Sequence, residues 1–226
     1  MKYGKVAVVG ALSVGLLTGC FGEKPEENLY TAFETAATQE KSLVDEAKKL
    51  EKLEKEGQEL YSQILQEGKD HNDAVIKKIE QATANVDERE KVLKNEKEML
   101  EKAQKETKSI QGNIEKLEDK KLQKQAKAVE ESYKNRYDAF QKMNENYMKA
   151  LATEKELYEK LKVKETKLKE IGEKVKVVNE LTVEAQKSKE QFNNFTKEYN
   201  DSKLAFYKDA EIKIKDQVGG PSGLRK

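Results

Sequence analysis

The chain has 226 residues, of which 44 are Lys or Arg and 43 are Asp or Glu, so its formal net charge is +1. Charged residues make up 38% of the chain, against about 25% in an ordinary domain, which argues against a large compact core. With one His and one Cys, it lacks the ligands of the usual zinc site. About half of the residues are Ala, Glu, Lys, Leu or Arg, and Pro25 and Pro221 are the only prolines. This composition predicts an all-α protein of long helices.

The first nineteen residues have the pattern of a secretory signal peptide. Lys2 and Lys5 precede an uncharged stretch over residues 6–17. That stretch has twelve residues, too few for a membrane span of about 20. We therefore expect residues 1–19 to be removed on export. Removal takes away two lysines and no acid, so the mature chain has a net charge of −1.

The sole cysteine closes this segment, in the sequence Leu17-Thr18-Gly19-Cys20. A cysteine in this position resembles the lipobox of bacterial lipoproteins. The resemblance implies that the signal peptidase reads Leu17, Thr18 and Gly19, and that Cys20 carries a covalent diacylglycerol. Two acyl chains hold a protein stably on a membrane, whereas a single chain gives marginal binding. The alternative is an ordinary signal peptide with a cysteine there by chance.

Four helices are predicted between a short tether, residues 20–27, and a flexible tail, residues 218–226. Apolar residues recur at alternating spacings of three and four, which is the pattern of a coiled-coil seam. The predicted helices cover residues 28–67, 72–118, 120–163 and 166–217. The pattern predicts an elongated, left-handed, up-and-down four-helix bundle about 65 Å long.

The three turns are predicted from different signals. Gly68 and the capping residues at 70–73 end the first helix and start the second. The cluster at 70–73 lacks the glycine and the final Glu of a calcium loop, so it is interpreted as a turn and no metal site is predicted. The second turn is expected at 118–120. The third stays open between 163–167 and Gly172, because the seam does not break there, although similar helix lengths favour the first position.

Charged residues at seam positions predict ion pairs inside the bundle. Counting residues from the membrane end places Arg89 near Glu54 and Arg136 near Glu40, and Glu154 is a further seam glutamate. Such pairs fix helix register in coiled coils. The alternative is that each side chain extends along the bundle surface to water.

Aromatic residues at seam positions predict a layer in the membrane-proximal half. Its members are Tyr133, Phe140, Tyr199 and Phe206. The same count brings Tyr61 and Tyr158 together near the far end. Core packing is the leading interpretation of these residues, and a surface that stacks on glycans is the alternative.

Several stretches carry a resemblance to a known family. They are Gln191-Phe192-Asn193-x-x-Thr196-x-x-Tyr199-Asn200-x-x-Lys203-x-x-Phe206-Tyr207, Arg136-Tyr137 and Glu156-Leu157-Tyr158. With the lipobox and the scarcity of proline, they make the chain resemble the YkyA-type cell-wall-binding lipoproteins of Gram-positive bacteria over essentially its whole length. The resemblance implies a four-helix up-and-down fold and wall binding. It brings no catalytic or ligand-binding residues with it.

Wall binding would require a local patch, because a mature chain of net −1 has no bulk attraction to anionic wall polymers. The candidate patch lies in the basic stretch 162–176 at the far end of the bundle. Its lysines are Lys162, Lys164, Lys167, Lys169, Lys174 and Lys176.

The sequence predicts a protein anchored by lipid to the outer face of the cell membrane, facing the wall. We expect it to bind or space wall polymer without catalysis, and without a cofactor, a metal ion or nucleic acid. The alternative is a membrane-surface scaffold that recruits a partner protein through an incompletely covered helix seam. Exposed apolar seam residues would favour the scaffold.

Overall fold

The computed structural model describes residues 24–67, 72–108 and 110–213, and the regular structure in these ranges is entirely helical. The helices are α1 (Pro25–Gln39), α2 (Leu43–Glu67), α3 (Asp73–Thr107), α4 (Gln111–Lys116), α5 (Lys120–Lys162) and α6 (Leu168–Asp209). This confirms the predicted all-α bundle. Within the described ranges, no helix combines the length and the apolar character that a bilayer span requires.

The helices form four arms that alternate in direction. The first arm consists of α1 and α2, the second of α3 and α4, and the other two of α5 and α6. Lys121 contacts Asp209 at one end of the α5–α6 pair, and Lys160 contacts Glu170 at the other, both at 2.7 Å. We call the end where α1 begins and α6 ends proximal, and the end where α5 turns into α6 distal. The 43 residues of α5 correspond to a length of about 65 Å.

Both arms of the N-terminal half contain a break that the sequence analysis missed. The predicted helix 28–67 is wrong as a continuous helix, since α1 and α2 are separated at residues 40–42. The predicted helix 72–118 is likewise interrupted after Thr107. Leu43 and Ile110 stay buried across these breaks. The apolar spacing therefore continues through them and gives no sign of an interruption.

Capping residues define the starts of α3 and α5. Asn72 caps α3 and Asp119 caps α5, each by accepting backbone N–H hydrogen bonds from the first turn. The third turn lies at residues 163–167, the first of the two positions that the sequence left open. Gly172 is inside α6, and a Cβ added there would meet no atom within 4 Å.

The ends of the bundle differ from the predicted bounds. Residues 25–27, predicted as part of the tether, are helical, and Pro25 suits a first helical turn because its missing N–H has no partner there anyway. The last helix ends at Asp209 and not at residue 217. Glu211 adopts a left-handed φ of 55°, and Ile212 N donates to the Tyr207 carbonyl at 3.0 Å, which closes the helix. Residues 1–23 and 214–226 lie outside the described residues.

Candidate functional site

The proximal half contains a fully buried ion pair. Arg136 of α5 donates through both terminal nitrogens to the Glu40 carboxylate, at 2.8 and 2.5 Å. Its Nε donates to Thr196 Oγ1 at 2.9 Å, and its guanidinium lies 4.7 Å from the centroid of the Phe192 ring. The predicted pair of Arg136 with Glu40 is confirmed. It ties the first arm to α5, because separating the two would leave a charge unpaired in the core.

A second buried ion pair joins α1 to α6. Lys203 Nζ lies 2.6 Å from Glu34 Oε1, and the Tyr207 hydroxyl donates to the same oxygen at 2.8 Å. Burial lowers the pKa of Lys203, and the neighbouring Glu34 carboxylate opposes that shift. Lys203 belongs to the stretch that carries the family resemblance, and its pairing with Glu34 was not predicted from the sequence.

Aromatic rings fill the proximal half. Tyr133 packs on Tyr199 with ring centroids 5.1 Å apart, as predicted. The other predicted members have different partners: Phe140 packs on Phe192 at 5.8 Å, and Phe206 packs edge-on against Phe33 of α1 at 6.2 Å. Tyr133, Phe140, Tyr199 and Phe206 are at most 3% exposed, so core packing is the role of these residues.

The N-terminal part of α6 is much less covered. From Leu168 to Glu184 no side chain is buried, whereas Phe192, Tyr199 and Phe206 of the same helix are at most 1% exposed. This part of α6 packs against α5 but leaves an opening towards α2. The distal half of the bundle is therefore open along one side.

The opening is a cleft of about 350 Å³. The residues that line it from α2 are Glu54, Gly57, Gln58 and Tyr61; from α5, Tyr147, Ala150, Leu151, Glu154, Leu157 and Tyr158; and from α6, Val175, Val178, Asn179, Thr182 and Gln186. Tyr61 and Tyr158, which the sequence placed together near the far end, share this cleft. Arg89 of α3 also reaches it.

An ion pair lies at the floor of the cleft. Arg89 Nη2 lies 2.5 Å from Glu154 Oε1, and the Tyr158 hydroxyl donates to the same oxygen at 3.1 Å. The predicted pair of Arg89 with Glu54 is wrong, because Glu54 accepts a hydrogen bond from the Tyr147 hydroxyl instead. Glu54 and Glu154 lie at similar heights on different helices, so counting residues could not choose between them.

The Glu54 carboxylate is held in a largely apolar setting. Burial raises its pKa, and the Tyr147 hydrogen bond, Lys189 and Arg89 oppose that shift. Gln186 Nε2 in turn donates to the Tyr147 hydroxyl at 3.3 Å. Hydrogen bonds therefore connect Glu54 at the buried floor of the cleft, through Tyr147, with Gln186 towards its open side.

Gly57 allows the floor to form. A Cβ at this position would lie 2.7 Å from Asn85 Oδ1. That oxygen accepts from Arg89 Nε at 3.0 Å, while the Asn85 amide donates to the Leu53 carbonyl at 2.9 Å. Gly57 is thus a small residue inside a helix, as its seam position indicated, and its lack of a side chain gives Asn85 room to hold Arg89.

The predicted basic patch is at the distal end, but half of its charge is already paired. Lys162, Lys174 and Lys176 each contact a glutamate of the α5–α6 hairpin. The remaining lysines, Lys164, Lys167 and Lys169, are exposed and form no ion pair within the described part of the chain. We call residues 163–169 the tip.

The tip adjoins a second, smaller groove. This groove has a volume of about 210 Å³, and Lys164 lines it together with apolar side chains of α2, α3 and α6. Leu65, Val163 and Leu168 are exposed there. The distal end therefore combines exposed cations with exposed apolar surface.

Sequence reasoning missed Gln58, Asn179, Thr182 and Gln186, the uncharged polar residues of the cleft. One signal was available: the seam of α6 carries Val175, Val178 and Thr182 in its first half, where its second half carries aromatic residues. Side chains of small volume at seam positions leave space that a neighbouring arm cannot fill.

Comparison with known proteins identifies the family of this chain. A family profile described as "Putative cell-wall binding lipoprotein", YkyA, matches residues 24–209. The chain belongs to the YkyA family. A protein of Bacillus subtilis (strain 168) named "Uncharacterized lipoprotein YkyA" is 28% identical over 200 residues, which cover 88% of this chain and 90% of the relative. No solved structure matches the chain.

The matched region consists of the bundle itself. Within the described residues, no group of three or more His, Cys, Asp and Glu side chains is placed to hold a metal ion. The lipobox residues Leu17, Thr18, Gly19 and Cys20 lie outside the described residues, so their role stays a prediction. The family description names binding and not catalysis, and the tip and the cleft are two described features that can support binding.

Proposed function

We propose that this YkyA-family protein is anchored by lipid to the outer face of the cell membrane and contacts cell-wall polymer with its distal end, without catalysis. Cys20 lies five residues before the start of α1. An acylated Cys20 would therefore hold the proximal end at the membrane. The length of α5 then carries the tip about 65 Å towards the wall.

The observation that supports wall contact is the position of the three unpaired lysines. Lys164, Lys167 and Lys169 lie within six residues of one another, at the end of the bundle farthest from Cys20. A local cluster of cations attracts an anionic polymer even on a chain of net charge −1. Attraction between exposed charges is screened by salt, so binding at the tip should weaken as ionic strength rises.

Sedimentation with purified wall sacculi tests this proposal. The chain from Phe21 onward contains the whole bundle, and we expect it to pellet with sacculi at low salt. Replacing Lys164, Lys167 and Lys169 by alanine should remove most of the pelleted protein.

A matched control is available at the other end of the bundle. Lys116, Lys120 and Lys124 are also exposed and without an ion pair among the described residues, and their replacement by alanine should leave pelleting unchanged. Equal losses in the two triple variants would show that net charge alone drives binding. Parent protein that stays in the supernatant at low salt would refute wall contact.

The uncovered part of α6 favours a second candidate function, the recruitment of a partner protein at the envelope. Val177 and Val183 are exposed on this helix, and exposed apolar positions on a helix are a common basis for helix–helix recognition. Cross-linking from these two positions in cells tests the candidate. Recovery of one defined protein by a cross-linker at position 177, lost when Val183 is changed to glutamate, would support it.

A further inference from the structure

The cleft between α2 and α6 has the dimensions of a small-ligand site. Its volume of about 350 Å³ lies within the range of about 300–1,000 Å³ that is typical of such sites.

Charge in the cleft disfavours an anionic ligand. Glu54, Arg89 and Glu154 are the charged residues of the lining, and together they give a formal charge of −1. Arg89 is already engaged by Glu154 and Asn85. It offers no free cation to a phosphate or a carboxylate, so the anionic wall polymers expected at the tip do not suit this site.

Burial works against a cationic ligand at the carboxylates. Glu54 Oε1 accepts from the Tyr147 hydroxyl, and Glu154 Oε1 accepts from Arg89 and from Tyr158. The pair of Arg89 with Glu154 is neutral, and burial raises the pKa of Glu54 and so disfavours its charged form. An uncharged ligand is therefore the best match to the lining.

The remaining polar groups suit a ligand rich in hydroxyl and amide groups. Gln58 and Asn179 are exposed at the cleft, and their side-chain amides make no hydrogen bond within the described part of the chain. Each amide can both donate and accept. Tyr61, which is partly exposed, presents an aromatic surface beside them, and Val175 and Val178 form an apolar wall.

From these features we infer that the cleft binds an uncharged saccharide of about two rings, the size that its volume admits. One face of a sugar ring is apolar and suits the Tyr61 ring and the valine wall, and the hydroxyl and acetamido groups at its edges suit Gln58 and Asn179. The inference rests on the proposed wall contact and extends it. The tip attracts the anionic polymer, and the cleft holds a neutral glycan unit.

Saturation-transfer NMR with defined disaccharides tests the inference on the chain from Phe21 onward. The probe is the acetylated, uncharged dimer of N-acetylglucosamine. Its deacetylated form supplies a cationic comparison, and a dimer of galacturonic acid supplies an anionic one. We expect transfer to the uncharged dimer, with weaker or absent transfer to both charged dimers.

Two pairs of variants locate the binding. Val178→Trp fills the cleft and should abolish transfer, whereas Val183→Trp on the exposed face of α6 should bind like the parent. Tyr61→Ala should weaken binding about fivefold or more, because loss of a stacked ring costs about 1–3 kcal/mol, and Tyr61→Phe should retain it. Circular dichroism and urea unfolding establish that each variant is folded.

Several results would overturn the inference. These are absence of transfer to the uncharged dimer, stronger binding of either charged dimer, or binding that Val178→Trp leaves intact. A cross-linker at position 178 that captures a protein and no glycan would assign the cleft to a partner protein instead. The tip variant separates this inference from the proposed function, because replacing Lys164, Lys167 and Lys169 should remove most of the pelleting with sacculi and leave disaccharide binding unchanged.

Discussion

The proximal half of the bundle is closed by aromatic rings, whereas the distal half, built on the same apolar spacing, is open along α2 and α6. The difference is clearest within α6. Phe192 and Phe206 are buried against neighbouring arms, while Val175 and Val178 line the cleft. Spacing decides which face of a helix points inward, and side-chain volume decides whether the neighbouring arms can close over it.

The ion pairs of the two halves also differ in their exposure to solvent. The Arg136 and Glu40 side chains are at most 1% exposed, whereas those of Arg89 and Glu154 are 9% and 15% exposed. When one member of a solvent-accessible ion pair is removed, water still solvates the charge that remains. The proximal pair is therefore suited to holding the arms together, and the distal pair is suited to a site that exchanges ligand with solvent.

The largest effect is expected from truncating one aromatic residue in the closed half. Phe192 is 1% exposed, and Phe192→Ala should lower the free energy of unfolding by about 3–5 kcal/mol through lost burial and a new cavity. Val178→Ala in the open half of the same helix should cost less than about 1 kcal/mol, because its site is already unfilled. Urea unfolding followed by circular dichroism measures both. Similar losses would show that the two halves of α6 are equally packed.

Removing one arginine from each ion pair sharpens the comparison. Arg136→Leu leaves the Glu40 carboxylate buried without its cation and should cost about 3–5 kcal/mol. Arg89→Leu should cost about half as much, since water can approach Glu154. The replacement of both Arg136 and Glu40 by apolar residues should recover much of the loss. Equal costs for Arg136→Leu and Arg89→Leu would contradict the proposed difference in solvation.

A pH dependence is expected at the border between the halves, where Glu96 is buried on α3. Burial raises the pKa of Glu96 from its ordinary value of 4.5 to about 8; Lys189 opposes the shift, and Glu46 and Glu54 add to it. The folded state therefore binds this proton more tightly than the unfolded state does. The stability that Glu96 contributes is complete below pH 4.5 and is lost as the pH rises towards 8.

Glu96→Gln isolates this contribution. The parent should lose up to about 1.4 kcal/mol of unfolding free energy per pH unit between pH 5 and pH 7.5. The variant cannot titrate at this position, so its stability should change less over the same range. Urea midpoints at pH 5, 6, 7 and 8 measure the difference, and parallel curves for the two proteins would show that Glu96 is ionised in the fold.

The sequence predicted the features that depend on periodicity and on local capping. The seam gave the all-α bundle and the pair of Arg136 with Glu40. Asn72 and Asp119 begin helices at predicted turns. Periodicity fails where a break preserves the buried face, as at residues 40–42. Only a local signal marks that break: Ser42 stands three residues before Asp45, which is the spacing of a capping box.

The candidate site was less accessible to sequence reasoning, because it depends on three-dimensional choices between equivalent residues. Counting residues along the helices places Glu54 and Glu154 at similar positions along the bundle axis, so it could not identify which of them pairs with Arg89. Among the lysines of the predicted patch, Lys162 and Lys176 pair with glutamates three and four residues away on their own helices, which the sequence spacing allows, whereas the pair of Lys174 with Glu156 crosses the α5–α6 hairpin and depends on helix rotation. The cleft depends on the side-chain volumes at the seam positions of all four arms. The sequence of one helix does not show which side chains of the other arms face it.

The smallest effect concerns a hydroxyl group inside the closed half. The Tyr199 hydroxyl is buried and has no hydrogen-bond partner among the described residues, so its burial costs free energy without a compensating bond. Tyr199→Phe should leave the free energy of unfolding unchanged or raise it by up to about 1 kcal/mol. Tyr133→Phe is the matched control, since the Tyr133 hydroxyl donates to Glu40 Oε1 at 3.2 Å. That change should cost about 1 kcal/mol. A loss in Tyr199→Phe as large as that in Tyr133→Phe would mean that the Tyr199 hydroxyl has a partner, most simply a buried water, and that the closed half is not dry.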